Sequence, residues 1–380
     1  MKKVLALVLA LVLSLAMFTA CAPKGDSGDK TDTKTTFTIG IVDPGTADAT
    51  SVPLYNSLYQ TITSLGGKYV LAAQEESSPD ALLNAVNNLL SKNVDGIILS
   101  NLIAVYGLVP AVADLCNENG VYWSLFWTTL EEGTEAYDAA MNSKYFVSTS
   151  CEDDVYSGYF ATKILGLQGC KKICTVTLPE GFGTTNLRNE GMQKALDEFG
   201  MEVLGTCSDS SLTSTASGGA TITEDFLAAY PDLDGIAVLG MSQFVLSGVV
   251  QALEDAGRTD IAVGCIDFHE YQHEYMKTGV LDGIIGGHFA GPTYSAILMA
   301  NVLTGHPLVE GPQIIKNNFI ELASFEDADV YASQVYGKCL YTDAELANCL
   351  VINNPDFTYA DLMAMAQSYS LEDIIARTSK

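Results

Sequence analysis

Positive charge is scarce in this chain: 19 lysines and arginines stand against 46 aspartates and glutamates, a net charge of −27. Such a surface repels nucleic-acid backbones and anionic lipid headgroups, so neither is a partner through bulk electrostatics. Histidine is also rare, with four copies. His269 and His273 stand four residues apart and could share a helix face, but no H-E-x-x-H pattern surrounds them, so they read as ordinary polar residues rather than zinc ligands. The nucleotide signatures are missing as well. "GIVDPG" and "GFGTTN" match neither G-x-G-x-x-G nor G-x-x-x-x-G-K-[ST], and no G-x-S-x-G elbow occurs. The recognisable fingerprints of dinucleotide, nucleoside-triphosphate and serine-hydrolase sites are therefore absent. Carboxylates are so numerous that pairs arise by chance, and no spacing singles out an acid and a base. The sequence points to a binding protein rather than an enzyme, with no cofactor and no metal.

Long apolar runs are confined to the N-terminus. "MKK" is a basic start, "VLALVLALVLSLAMF" an apolar stretch, and "FTAC" ends in small residues before Cys21, the layout of an export signal. "FTAC" also resembles the bacterial lipobox, with Phe18 where leucine is usual. The expectation is a signal over residues 1–20, lipid on Cys21 and anchorage to the bacterial cell membrane by that lipid alone. Residues 21–36, rich in Gly, Ser, Thr and Asp, read as a flexible tether. Of nine cysteines, Cys21 is assigned to lipid; the other eight are scattered through apolar segments. A chain this large does not need disulfides, and Cys339 to Cys349 is the pairing expected if one forms. "CKKIC", Cys170 to Cys174, lacks the second Cys/His pair of a zinc site.

What is present is a repeat. "NVDGIILSN" at 93–101 returns as "DLDGIAVLG" at 232–240. Upstream of the first lie "TIGIVDP", "SLYQTITSLGGKYVLAAQ" and "SPDALLNAVNNLLSK"; upstream of the second lie "KKICTVTLPE", "NEGMQKALDEFGMEVLGTCS" and "TITEDFLAAYP". Leu82, Leu83, Val86, Leu89 and Leu90 recur at helical spacing, whereas the Asp-Gly runs are short and continuously apolar, as strands covered on both faces require. Gly66, Gly67 and Gly200 fall where helices stop. Each half reads strand, helix, strand, helix, strand. The predicted fold class is α/β: two doubly wound parallel-sheet, Rossmann-like domains joined by a hinge.

Exported leader, tether and two such halves resemble the type I periplasmic solute-binding proteins, the ribose- and galactose-binding class that feeds ABC importers, over residues 37 to about 305. The resemblance implies three crossings between lobes: 37–148 plus 288–312 in one, 149–287 plus about 313–330 in the other, and a helical extension over 331–380. It also implies a ligand between the lobes at the carboxyl ends of the strands. "LRNEGMQKAL" resembles the family's R-x-x-G helix, whose arginine donates to sugar hydroxyls, which carries over to Arg188. "IAVGCIDF" resembles the strand ending in the ligand-binding aspartate, here Asp267. "CEDDVYSGYF" resembles the segment after the first crossing, where Asp153 or Asp154 lies near the cleft or caps a helix.

Departures from the sugar binders are informative too. "VYWSLFWTT" puts Trp127 at a strand end with Trp123 nearby, "GMSQF" offers Ser242 and Gln243, and "IIGGHF" offers Gly287 and His288. The implied cleft is less charged and more aromatic than a ribose site, and Trp127 suits a sugar face and a nucleobase alike. The first loop contributes Asp43, Thr50 and Ser51. The implied function is capture of a small polar solute, a sugar or sugar-like compound, by a monomeric lipoprotein working with an ABC permease. A nucleoside-binding lipoprotein and a ligand-sensing receptor for a signalling partner are the alternatives. In the tail, "YTDAELANCLV" and "TYADLMAMAQSYSLEDIIAR" each offer a cap, at Thr342 or Asp343 and at Thr358, before apolar positions at helical spacing.

Overall fold

The computed structural model describes residues 36–43, 45, 51–74, 76, 78–100, 106–178 and 183–378. Cys21, the leader, the tether up to residue 35 and Thr50 lie outside them. The strands are β1 Thr38–Asp43, β2 Lys68–Ala73, β3 Gly96–Ser100, β4 Tyr122–Phe126, β5 Phe146–Glu152, β6 Lys172–Val176, β7 Glu202–Cys207, β8 Gly235–Val238, β9 Ala262–Ile266, β10 Gly283–Gly286, β11 Gln313–Asn317 and β12 Ile320–Leu322. They form two six-stranded sheets, ordered β2-β1-β3-β4-β5-β11 and β7-β6-β8-β9-β10-β12. Every neighbouring pair is parallel except β10 with β12.

The two Asp-Gly runs become β3 and β8, the third strand of each half. Every residue of β3, β8, β9 and β10 is buried, because helices cover both faces. The edge strands β2 and β7 are exposed at several positions and are correspondingly polar or mixed. Helix Gly291–Leu303 is apolar nearly all round and buried from Gly291 to Asn301. It lies on β3, β4 and β5, against helix Ser51–Ser64 and helix Tyr359–Ser368. In both sheets the strand order reverses beside the first strand of the half, which opens a crevice outside the carboxyl ends.

Two of the three crossings fall later than the sequence reading puts them, while the second lies where expected, between β10 and the helix from Gly291. β5 runs on to Glu152, so the first crossing follows residue 152 rather than 148. The strand from 313, assigned above to the second lobe, is β11 and pairs with β5 in the first, Asn317 opposite Glu152. Only β12 joins the second sheet, as its antiparallel edge beside β10. The cause is pairing: the outer edge of β5 is open and a short parallel strand completes it.

The tail then crosses a fourth time. Helix Phe325–Val330 and the π-turn Tyr331–Val335 pack on the second lobe, with Tyr331 against Phe268 at 4.8 Å and Asp329 3.2 Å from His273 Nε2. Residues 336–340 pass to the first lobe, where Gln60 Nε2 donates to Tyr341 O at 3.1 Å and to Asp343 at 2.9 Å. Thr342 and Thr358 cap helices Asp343–Ala347 and Tyr359–Ser368 with complete capping boxes. The last predicted helix is in fact two, Tyr359–Ser368 and Leu371–Thr378. The break lies at Tyr369, fully buried, whose hydroxyl donates to Gly287 O in the second crossing. Cys339 and Cys349 are not bridged: Cys339 is exposed in the crossing segment, while the buried Cys349 thiol faces Glu345 O and Met365 Sδ. His269 lies in a loop and His273 in helix Gln272–Thr278, so they do not share a helix face. No group of three metal-type ligands occurs among the described residues.

Candidate functional site

Three strand ends are held in a conformation their residues disfavour. Trp127 after β4 has φ 53°, Met241 after β8 has φ 62° and Asp267 after β9 has φ 77°. A left-handed backbone at a bulky non-glycine residue costs of order 1 kcal/mol or more and persists where surrounding contacts impose it. Here it turns the chain sharply off each strand. Asp267 Oδ2 accepts from Met241 N at 3.1 Å, so two of the turns lock each other.

Arg188 is the centre of the cluster. It is 7% exposed, on helix Gly183–Phe199. Its Nε donates to Asp154 Oδ1 at 2.9 Å, its Nη1 to Leu239 O at 3.0 Å, and Nη1 lies 3.9 Å from Asp267 Oδ2. Helix Asp154–Leu167 approaches this helix so closely that a Cβ on Gly191 would stand 1.8 Å from Val155 O, and one on Gly158 2.0 Å from Arg188 O. The glycine of the R-x-x-G motif therefore sets how near the guanidinium comes to Asp154. The two aspartates of "EDD" divide the labour: Asp153 caps the helix, accepting from Tyr156 N at 3.0 Å, and Asp154, 2% exposed, takes Arg188.

Burial dominates the electrostatics. It raises the Asp154 carboxyl above its ordinary range, with Arg188 opposing the shift. Burial, reinforced by the nearby Asp154, pushes Glu152 well above the usual carboxylate range, favouring the protonated acid. His288 is held down at about 4 by burial and stands neutral at pH 7. The ring of His288 meets Trp127 at 4.9 Å and Phe319 at 5.1 Å, both edge to face.

Several buried polar atoms here have no hydrogen-bond partner among the described residues: Trp127 Nε1, Glu152 Oε1, Gln243 Oε1, His288 Nδ1 and Asn317 Oδ1. Each such atom costs about 1–3 kcal/mol if left unpaired. A concentration of them at strand ends marks a place built for a polar guest. Ser242 is buried in the first turn of its helix, with its hydroxyl facing the Cys265 thiol.

The structure thus brings together Arg188, Asp154 and Asp267, with His288 and Trp127 beside them, and Ser242 and Gln243 follow the Met241 turn that Asp267 fixes. Asp43 stands apart, its carboxylate accepting from Gly45 N at 2.9 Å and facing the Tyr59 hydroxyl. Ser51 is buried at the start of helix Ser51–Ser64. Trp123 is core, its Nε1 donating to Ser143 Oγ at 3.1 Å. Sequence reasoning missed Glu152 and Asn317, which face each other on β5 and β11. The signal for them was topological: both end strands whose lobe membership the linear pattern misassigned.

Comparison with known proteins agrees with this geometry. The periplasmic binding protein domain family matches residues 39–306. Among curated proteins none matches the chain. Similar solved structures include an ABC transporter solute-binding protein from Agrobacterium vitis bound with α-D-tagatopyranose, 19% identical, covering 80% of this chain and 99% of its own with TM-score 0.66. A periplasmic solute-binding protein from Actinobacillus succinogenes with bound D-allose is 18% identical, covering 77% and 99%, with TM-score 0.65. A periplasmic sugar-binding protein from Pseudomonas fluorescens is 14% identical, covering 89% and 99%, with TM-score 0.68. With the match spanning both lobes and the buried arginine cluster lying at the carboxyl ends of their strands, this chain belongs to the periplasmic binding protein family.

Proposed function

We propose that the protein is an extracytoplasmic solute-binding lipoprotein that captures a small polar solute, a sugar or sugar-like compound, between its lobes and delivers it to an ABC-type permease. One observation carries the reading: a buried guanidinium fork, fixed between two aspartates, surrounded by unpartnered polar atoms at strand ends of both lobes. Arg188 donates to ligand hydroxyls, Asp267 and Asp154 accept from them, and Trp127 offers a ring for a sugar face. Gln243, Ser242 and His288 supply further polar atoms. The tagatopyranose and allose held by two similar structures support a sugar-like guest.

The mechanism is hinge closure. Ligand contacts drawn from both lobes favour the closed state by their differential affinity for it, and the closed form docks on the permease. The ligand is captured and released unchanged. Lipid on Cys21 holds the monomer at the membrane face.

A thermal-shift screen of the chain starting after Cys21, against monosaccharides, polyols, nucleosides and amino acids, tests this. At a thousandfold excess over Kd the true ligand stabilises by about 4 kcal/mol. A sugar or polyol hit whose shift disappears in Arg188→Ala supports the reading, and a nucleoside or amino-acid hit replaces it. Cys21→Ser releasing the protein from the membrane fraction tests the anchor separately.

A further inference from the structure

A cavity of about 600 Å³ lies between the two lobes, and Gln243 is the one candidate-site residue among those lining it. One wall is the face of helix Ser51–Ser64 that presents Asn56 and Gln60. The opposite wall is Gln243, Phe244 and Glu270 of the second lobe, and the third is the crossing segment Tyr336–Leu340 of the tail. Gln243 links the cavity to the arginine cluster through the chain, two residues after Met241, whose N–H donates to Asp267. It lines the cavity, and its Oε1 is buried without a partner.

The wall chemistry is specific. The rings of Phe244 and Tyr336 supply apolar faces, the amides of Asn56 and Gln243 supply donors and acceptors, Gln60 keeps its acceptor oxygen while its NH2 is held by Tyr341 and Asp343, and Glu270 and Lys338 contribute one charge of each sign. A neutral molecule with C–H faces and many hydroxyls suits such walls. The volume is within the range that buries a ligand larger than a lone polar head.

We propose that this cavity is a second subsite of the cleft, and that the solute is a saccharide of at least two units: one held at Arg188, Asp154 and Asp267, the next lying across Gln243 between Tyr336, Phe244 and the Asn56 face. The tail thereby becomes part of the binding surface, because its fourth crossing builds a wall of the second compartment. The inference rests on the reading of the cleft as a saccharide site.

Calorimetric titration of the protein with D-glucose, D-galactose, D-fructose and D-tagatose, and with maltose, cellobiose, lactose, melibiose and sucrose, tests it. A disaccharide is expected to bind at least about tenfold more tightly than its component monosaccharides, the effect of adding one stacked ring contact. Tyr336→Ala, at a side chain 55% exposed, is expected to abolish that advantage and leave monosaccharide affinity unchanged. Asn56→Phe, filling the cavity from an exposed helix position, is expected to do the same. Arg188→Ala is expected to remove binding of both classes. Monosaccharide binding that depends on Arg188, with no disaccharide advantage or with one that survives both cavity variants, overturns the second subsite alone. Absence of binding by every saccharide overturns the cleft reading and the subsite together.

Discussion

Arg188 and Asp154 form a buried ion pair in which each partner neutralises a charge that solvent no longer stabilises. Removing one member strands the other, which costs about 3–5 kcal/mol, whereas replacing both by apolar residues of similar volume is near neutral. Arg188→Ala is therefore expected to lower stability by that amount in urea unfolding, with Asp154→Leu/Arg188→Met recovering most of the loss but no ligand affinity. Equal stability of Arg188→Ala and wild type would refute the burial argument. His288 gives a second residue-scale prediction. Its pKa falls from an ordinary 6.5 to about 4 in the folded chain. The unfolded chain thus binds more protons between those values, and stability drops as pH falls through the window, by about 3 kcal/mol from this group. Glu152, shifted the other way, loses stability as pH rises above its ordinary 4.5. Replacing His288 with Gln should flatten the loss between pH 6.5 and 4 in thermal melts at stepped pH; an unchanged acid limb would show that other groups govern it.

At the scale of elements, the helix pair Asp154–Leu167 and Gly183–Phe199 sets the site. Their backbones touch at Gly158 and Gly191, so a side chain at either position forces the helices apart. Gly191→Ala is expected to destabilise by at least the 1–3 kcal/mol of core overpacking and to weaken ligand binding by moving Arg188 off Asp154. The informative readout is the comparison with Gly169→Ala, at a turn with φ 90° and open space around it: strain alone lowers stability there and leaves affinity intact. The tail helices offer a milder case. Thr358→Ala removes a capping box and should cost about 1 kcal/mol.

The whole molecule is two lobes joined by more connections than the family resemblance implied. Three crossings link the sheets, and the tail adds a fourth together with the Tyr369 hydroxyl on Gly287 O and the Asn318 backbone on Ala366 O. Closure has to work against or with this strap. Tyr369→Phe leaves the buried Gly287 carbonyl short of its donor, costing about 1–3 kcal/mol, and is expected to shift the radius of gyration of the ligand-free protein in small-angle scattering while leaving the ligand-bound value unchanged. Much of this architecture was determined by the chain alone. The alternation of helical and continuous apolar runs specifies two doubly wound halves, because burial on both faces leaves a strand no polar positions. Thr342 and Thr358 specify their helix starts, because a cap is a local hydrogen bond. The motif "LRNEGMQKAL" specifies an arginine one turn from a close-packing glycine. What tertiary structure decided is everything that depends on pairing between distant segments. Strand Gln313–Asn317 carries no mark of which sheet it joins; the open edge of β5 decides it and sets Asn317 opposite Glu152. The break at Tyr369 answers to a carbonyl 82 residues away. The protonation of Glu152 and His288 follows from burial, a property of the assembled cleft and of no single residue.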